Sequence, residues 1–175
     1  DDLQLLALAD AGHLSLVRQP TPIGEVVEKA VQSAGHRVNG SGIQLSATVE
    51  KNLPILEVDA ERIGQILRNL LNNAFSYTPQ QGAIAVNALR HNGRVEIAVY
   101  NTGQGIAEEH LPHLFDRFYR ADRSRTRTTG GSGLGLAIVK QLVEAHGGNV
   151  WAESEPGQWA KFTFALPIER VAGIE

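Results

Sequence analysis

Two glycine turns, Asn101-Thr102-Gly103-Gln104-Gly105-Ile106 and Gly131-Ser132-Gly133-Leu134-Gly135-Leu136, constrain this chain more than any other feature. The first follows an alternating apolar segment, Val95 to Tyr100. The second opens directly into an apolar helical pattern, Leu134 to His146. Between them lie Phe115-Asp116-Arg117-Phe118-Tyr119-Arg120 and a stretch carrying Arg123, Arg125 and Arg127. Glycines let backbone N–H groups approach an anion closely, and a helix N-terminus adds free donors and partial positive charge. A strand end and a helix start delivered to one place, with an arginine-rich segment between, describe a phosphate site with a lid.

The apolar spacing predicts the elements around these turns. Leu3, Leu6 and Ala7 end a helix near Ala11-Gly12, and Leu14-Ser15-Leu16-Val17 reads as a short strand. A helix starting at Thr21 or Pro22 turns Val26, Val27, Ala30 and Val31 inward and stops near Gly35. Ile43, Leu45 and Ala47, then Ile55 and Val58, read as strands on either side of Pro54. Asp59 is an N-cap for a helix with the stripe Ile63, Ile66, Leu67, Leu70, Leu71 and Ala74, although Arg62 stands where a capping box wants Glu or Gln. Asn69 and Asn73 share a face beside that stripe. As poor helix formers they are either a solvated flank or a functional pair.

Residues 84–89 and 95–100 flank His91-Asn92-Gly93 as a hairpin. Residues 107–120 are expected to form a short helix and 121–132 a flexible loop, disordered without a ligand. Leu134, Ile138, Leu142 and Ala145 face inward on the last helix, which Gly147-Gly148 ends. His146, before these two glycines, reads as a helix C-terminal residue interacting with the dipole. Residues 149–154 and 161–166 make a closing strand pair. Mixed helices and strands with hairpins at the end argue for an α+β two-layer sandwich and against a doubly wound parallel sheet.

With 175 residues and 42% hydrophobic content, the chain suits one compact domain. A net charge of -3 gives no global reason to expect nucleic acid, so an anion site must be local. The absence of cysteine excludes disulfides, thiolate metal sites and a cysteine nucleophile. No apolar run reaches the roughly 18 to 20 residues of a membrane span. The chain opens at Asp1 inside a helical pattern, and is read as a piece of something longer.

Gly131-x-Gly133-x-Gly135 is not a dinucleotide fingerprint, because an arginine- and threonine-rich stretch precedes it where a strand is required. No Gly-Lys-Ser or Gly-Lys-Thr makes a P-loop. Three elements in order remain: an asparagine helix, an Asn-x-Gly-x-Gly turn after a strand, and a Gly-x-Gly-Leu-Gly-Leu helix start.

Arg68-Asn69-Leu70-Leu71-Asn72-Asn73-Ala74-Phe75-Ser76-Tyr77-Thr78-Pro79 resembles the N box of sensor histidine kinases, and the three blocks of residues 101–136 resemble their two glycine boxes and F box. The resemblance runs over roughly residues 20–167. It implies the Bergerat-type ATP-binding fold shared with gyrase and Hsp90: a mixed, mostly antiparallel sheet under three helices, with a lid over ATP. By the same resemblance residues 1–13 are the end of a dimerisation and phosphoacceptor helix, 14–170 the catalytic domain with its lid at about 107–132, and 171–175 a tail. Asn73 is expected to coordinate magnesium through its amide oxygen, with triphosphate oxygens completing the shell, and Asn69 to support it. In hydrolysing relatives the position of Asn69 is a glutamate, and an amide cannot act as that base, so ATP would be kept for transfer. Tyr77 would lie along the adenine and Asn101, Gly103, Gly105 and Ile106 would form its site. Gly133, Leu134, Gly135 and Leu136 would receive phosphate oxygens on their N–H groups. Phe115 and Phe118 would anchor the lid, and Arg117 and Arg120 would meet triphosphate or a partner's acidic surface.

Three residues depart from the family pattern. Asn101 stands where an aspartate usually accepts from the adenine amino group, Ala160 where a threonine commonly assists it, and Ser76 where many members carry a phosphate-contacting lysine. Asn101 together with residues 114–125 is reminiscent of heavy-metal sensor kinases. The resemblance implies a homodimeric inner-membrane sensor with this part in the cytoplasm, transferring the γ-phosphoryl of Mg-ATP to a histidine upstream of Asp1, for relay to a response-regulator aspartate. The rival readings are a degenerate or nucleotide-gated interaction module, suggested by Asn101 and Ala160, and a hydrolysing ATPase, which Asn69 disfavours. His110 and His113 share a helical face at ligand-like spacing, which on an exposed helix is more often surface than metal site.

Overall fold

The computed structural model describes residues 1–121 and 131–169. Residues 122–130 and 170–175 fall outside that range, and with them the arginines at 123, 125 and 127, most of the loop expected over 121–132 and the tail expected at 171–175.

Helix α1 (Asp2–Asp10) leads to β1 (Gln19–Pro22) and α2 (Ile23–Ala34), which a 3₁₀ turn, Gly35–Arg37, extends. Strands β2 (Gln44–Val49) and β3 (Ile55–Val58) precede α3 (Ala60–Tyr77). The hairpin β4 (Ala83–His91) and β5 (Arg94–Thr102) follows, then a 3₁₀ segment, Glu108–His113. Helix α4 (Gly135–Ala145) and the hairpin β6 (Asn149–Glu155) and β7 (Trp159–Pro167) complete the order.

Five strands form one sheet in the order β2-β4-β5-β7-β6, with β2 parallel to β4 and the other pairs antiparallel. β1 and β3 pair separately. Helices α2, α3 and α4 cover the main sheet, giving the expected α+β sandwich. The stripe Ile63, Ile66, Leu67, Leu70, Leu71 and Ala74 of α3 is wholly buried. It meets sheet residues that alternate inward, Ile84, Val86 and Ala88 on β4 and Val95, Ile97 and Val99 on β5. The tight turn between those strands puts Asn92 (φ 49°) and Gly93 (φ 73°) in the left-handed region, as a two-residue hairpin matching strand twist requires.

Several elements differ from expectation. Residues 14–17 are not a strand, since the Val17 N–H goes to Asp59 Oδ2 (3.0 Å) and pairing starts only at Gln19. Pro20 and Pro22 are tolerated there because each strand of a two-stranded sheet has a free edge. On α1, Leu5 and Leu6 are buried while Leu3 is 54% exposed, so the helix is rotated from the stripe read through Leu3 and Ala7. The helix expected over 107–120 is reduced to the 3₁₀ turns of Glu108–His113, with Pro112 inside, whose missing N–H breaks an α-helical ladder. Helix α4 buries Ala137, Val139 and Val143 besides Ile138 and Leu142, because α1, α3 and the strands β6 and β7 surround it. No helix among the described residues is long and apolar enough to cross a membrane.

Candidate functional site

The sheet, α3 and the start of α4 enclose a cleft of about 800 Å³. Ten of the residues singled out from the sequence line it: Asn69, Asn73, Tyr77, Asn101, Gly105, Ile106, Arg120, Gly133, Gly135 and Leu136.

The floor comes from the end of β5 and the start of β7. Asn101 is 3% exposed and donates through Nδ2 to the Thr102 carbonyl (3.0 Å), which leaves Oδ1 as its accepting atom. Its cross-strand partner on β7 is Ala160, so the two departures from the family pattern face each other across one rung of the ladder. The first glycine turn is held against the β6–β7 hairpin. The Ile106 N–H donates to Ser154 Oγ (2.7 Å), which in turn donates to the Trp159 carbonyl (2.7 Å). A Cβ at Gly105 (φ 65°) would lie 2.4 Å from the Glu155 carbonyl oxygen, so this approach excludes any side chain.

Asn69 Nδ2 donates to the Gly135 carbonyl (3.2 Å), joining the asparagine helix to the start of α4. Asn73, one turn later, is half-buried and lines the cleft. Helix α4 has Leu134 at its N-cap position and no side-chain cap, so its first-turn N–H groups remain available to a ligand, while the Leu134 N–H donates to Ser132 Oγ (3.4 Å). The two ends of the lid segment are stitched together beside it. The Phe118 N–H donates to the Gly133 carbonyl (2.9 Å), and Arg120 Nη1 to that of Gly131 (2.8 Å).

Ser76, His110 and Ala160, also singled out, line it as well, whereas the remaining residues lie elsewhere. Gly103 lines a smaller neighbouring hollow with Tyr77, Thr78 and Gln158. Phe115 packs edge-on against Phe162 (6.2 Å between centroids), beneath the cleft. Leu134 is buried. Arg117 points to α1, where it pairs with Asp10 (2.5 Å), a bond that raises its pKa. Phe118 does not anchor the lid through its ring, which is 63% exposed, and contributes only its backbone, at φ 61°. Both His110 and His113 pack against the Tyr119 ring, but Nδ1 of His110 is taken by the Tyr119 hydroxyl (2.5 Å) and Nδ1 of His113 by Asp116 (3.1 Å). Sequence reasoning missed Arg37 on the cleft wall, which no periodicity marks because it leaves a 3₁₀ turn. It also missed Phe162, which shares a face with Ala160 two residues away.

Residues 58–170 match the family model described as Histidine kinase-, DNA gyrase B-, and HSP90-like ATPase. The chain belongs to that family. Sensor kinases are among its relatives. It is 34% identical over 170 residues to the signal transduction histidine-protein kinase BaeS of Escherichia coli (strain K12), covering 97% of this chain and 36% of BaeS. The sensor histidine kinase YkoH of Bacillus subtilis (strain 168) is 46% identical over 124 residues, covering 71% of this chain and 27% of YkoH. The chain thus spans about a third or less of the length of these two curated relatives. The full-length ShkA, solved in complex with AMPPNP, superposes with a TM-score of 0.85 at 32% identity over 98% of this chain and 35% of ShkA. Fold and matched segment are those of this ATPase family, and the relatives named here are sensor histidine kinases.

Proposed function

We propose that this chain binds Mg-ATP and presents the γ-phosphoryl group to a histidine on a dimerisation domain, from which it passes to an aspartate of a response-regulator receiver domain. The observation that carries the reading is the convergence of Asn69, Asn73, Asn101 and the uncapped start of α4 on one cleft. Asn101 Oδ1 would accept from the adenine amino group, with Tyr77 along the ring, and the α4 N–H groups would take phosphate oxygens. A single amide oxygen from Asn73 fits magnesium, which accepts oxygen ligands, keeps several waters and relies on substrate phosphates to complete its shell. Bound there, the ion would neutralise charge on the triphosphate.

Asn69 carries no proton-accepting group suited to activating water, so the site favours keeping the phosphoryl group for a protein acceptor. Positioning and charge neutralisation supply most of such catalysis, which is what a cleft of amides and backbone donors offers. ShkA was solved with a nucleotide analogue and the histidine kinase ThkA with the response regulator TrrA, in line with both partners. The whole protein would be a homodimeric inner-membrane sensor with this part on the cytoplasmic side.

Calorimetric titration with ADP and a non-hydrolysable ATP analogue, with and without magnesium, tests the reading. Magnesium-dependent binding that Asn73→Ala abolishes is expected. A folded chain that binds neither nucleotide would make it an interaction module of the same fold.

A further inference from the structure

Arg37 enters the cleft from an element that none of the sequence motifs includes. It follows α2 in the Gly35–Arg37 turn and crosses to the outer face of α3. There Nη1 donates to Asn72 Oδ1, and the guanidinium lies over the Phe75 ring, 4.7 Å from its centroid. Two contacts from one helix hold the fork in place while leaving further N–H donors unspent, since a guanidinium has five.

The charges around the cleft show what that fork is suited to meet. Among the described residues the arginines that line it are Arg37 and Arg120. Arg120 already donates to the Gly131 carbonyl. Asp2, at the same mouth, has the wrong sign for a phosphate. Ser76 is also on this wall, but its hydroxyl is turned back to the Asn72 carbonyl (2.9 Å). Asn72 and Ser76 are one turn apart and flank the face of Asn69 and Asn73, so Arg37 stands across that face from the start of α4.

We infer that Arg37 is a phosphate-binding residue of this site, meeting the polyphosphate chain of the nucleotide from the α3 side while the α4 N–H groups meet it from the other. The inference rests on the nucleotide reading above. A planar fork held over an aromatic ring is preorganised, so little side-chain freedom is lost when phosphate oxygens arrive.

The test is competitive displacement of a fluorescent nucleotide from the 175-residue chain by adenosine, ADP and a non-hydrolysable ATP analogue, in the unsubstituted protein, Arg37→Gln and Arg37→Lys. Arg37→Gln is expected to weaken ADP and the ATP analogue by about tenfold and leave adenosine unchanged, with Arg37→Lys between. Unchanged ADP and ATP-analogue affinity in Arg37→Gln overturns the inference alone. An equal loss for adenosine also overturns it, making Arg37 a packing residue. No nucleotide binding by the unsubstituted chain removes the nucleotide reading and this inference together.

Discussion

The backbone N–H of Asp59 donates to Nε2 of His146 at 3.1 Å, tying the start of α3 to the end of α4. Nδ1 of the same ring faces the Leu142 carbonyl at 2.7 Å, so both bonds are satisfied by one neutral tautomer with its proton on Nδ1. The ring is 2% exposed. The interaction with the end of α4 that its place before Gly147-Gly148 suggested is therefore made by the neutral ring, through Nδ1 and the Leu142 carbonyl. Protonation would put a second N–H against that of Asp59.

Burial lowers the pKa of His146 below its ordinary 6.5, the nearby charge of Arg18 adds to this, and the Leu142 carbonyl and Asp59 oppose it. As pH falls through the unfolded value, the unfolded chain takes up a proton that the folded chain refuses. Stability from this group is thus complete above about pH 7 and declines on the acid side until the folded pKa is reached. Urea unfolding between about pH 7.5 and 5 should show that decline in the native protein and a flatter profile in His146→Gln. Parallel profiles would refute the assignment.

Asn69 and Asn73 lie one turn apart but differ in what they touch. Asn69 is bonded to Gly135, whereas Asn73 takes no part in the hydrogen bonds among the described side chains. Asn69→Ala should therefore cost about 1 kcal/mol of stability and weaken nucleotide binding as well. Asn73→Ala should leave the melting temperature within about a degree or two and remove only the magnesium-dependent part of binding. Thermal melts paired with titrations read both.

Gly105 and Gly157 are both at positive φ, 65° and 80°, but differ in their surroundings. A Cβ at Gly157 meets nothing within 4 Å, so Gly157→Ala costs only the backbone strain, about 1 kcal/mol. At Gly105 the carbonyl of Glu155 must move, and Gly105→Ala should cost more than about 2 kcal/mol and disturb the cleft floor. Equal costs in denaturant unfolding would mean that the turn is not held against β6 and β7 as described.

Legibility followed periodicity and chemistry that repeats. The α3 stripe, the Asp59 cap and the Asn92-Gly93 turn were readable because each is local: a helix face, a side-chain oxygen on the Arg62 N–H (3.1 Å), two residues at positive φ. Most of the cleft was readable through the resemblance to the kinase boxes; spacing alone added that glycines mark backbone approach and that Asn69 and Asn73 share a helix face. Arg37, the Arg117–Asp10 pair and the His146 clasp were not, since each joins residues far apart in sequence with no periodicity to announce it. Phe118 misled because the resemblance implies an anchoring role for both phenylalanines of its block, whereas here its backbone conformation and its N–H are what the fold uses.

The pairing of Asn101 with Ala160 sets an opposition between stability and binding. Asn101→Asp would place a charged acceptor where the adenine amino group is expected, strengthening that bond by on the order of 1 kcal/mol. It would also lose the Nδ2 donor and set a carboxylate oxygen against the Thr102 carbonyl at a site that is 3% exposed. The empty variant should therefore melt below the native protein, by the equivalent of about 1 to 2 kcal/mol, and bind ADP roughly fivefold more tightly. Ala160→Thr, whose hydroxyl would stand across the ladder from residue 101, should recover part of the stability in the double variant, and thermal melts with and without ADP would read the coupling. Tighter binding with no loss of stability would mean that Thr102 does not constrain the Asn101 amide. Weaker binding would mean that Asn101 does not face the base.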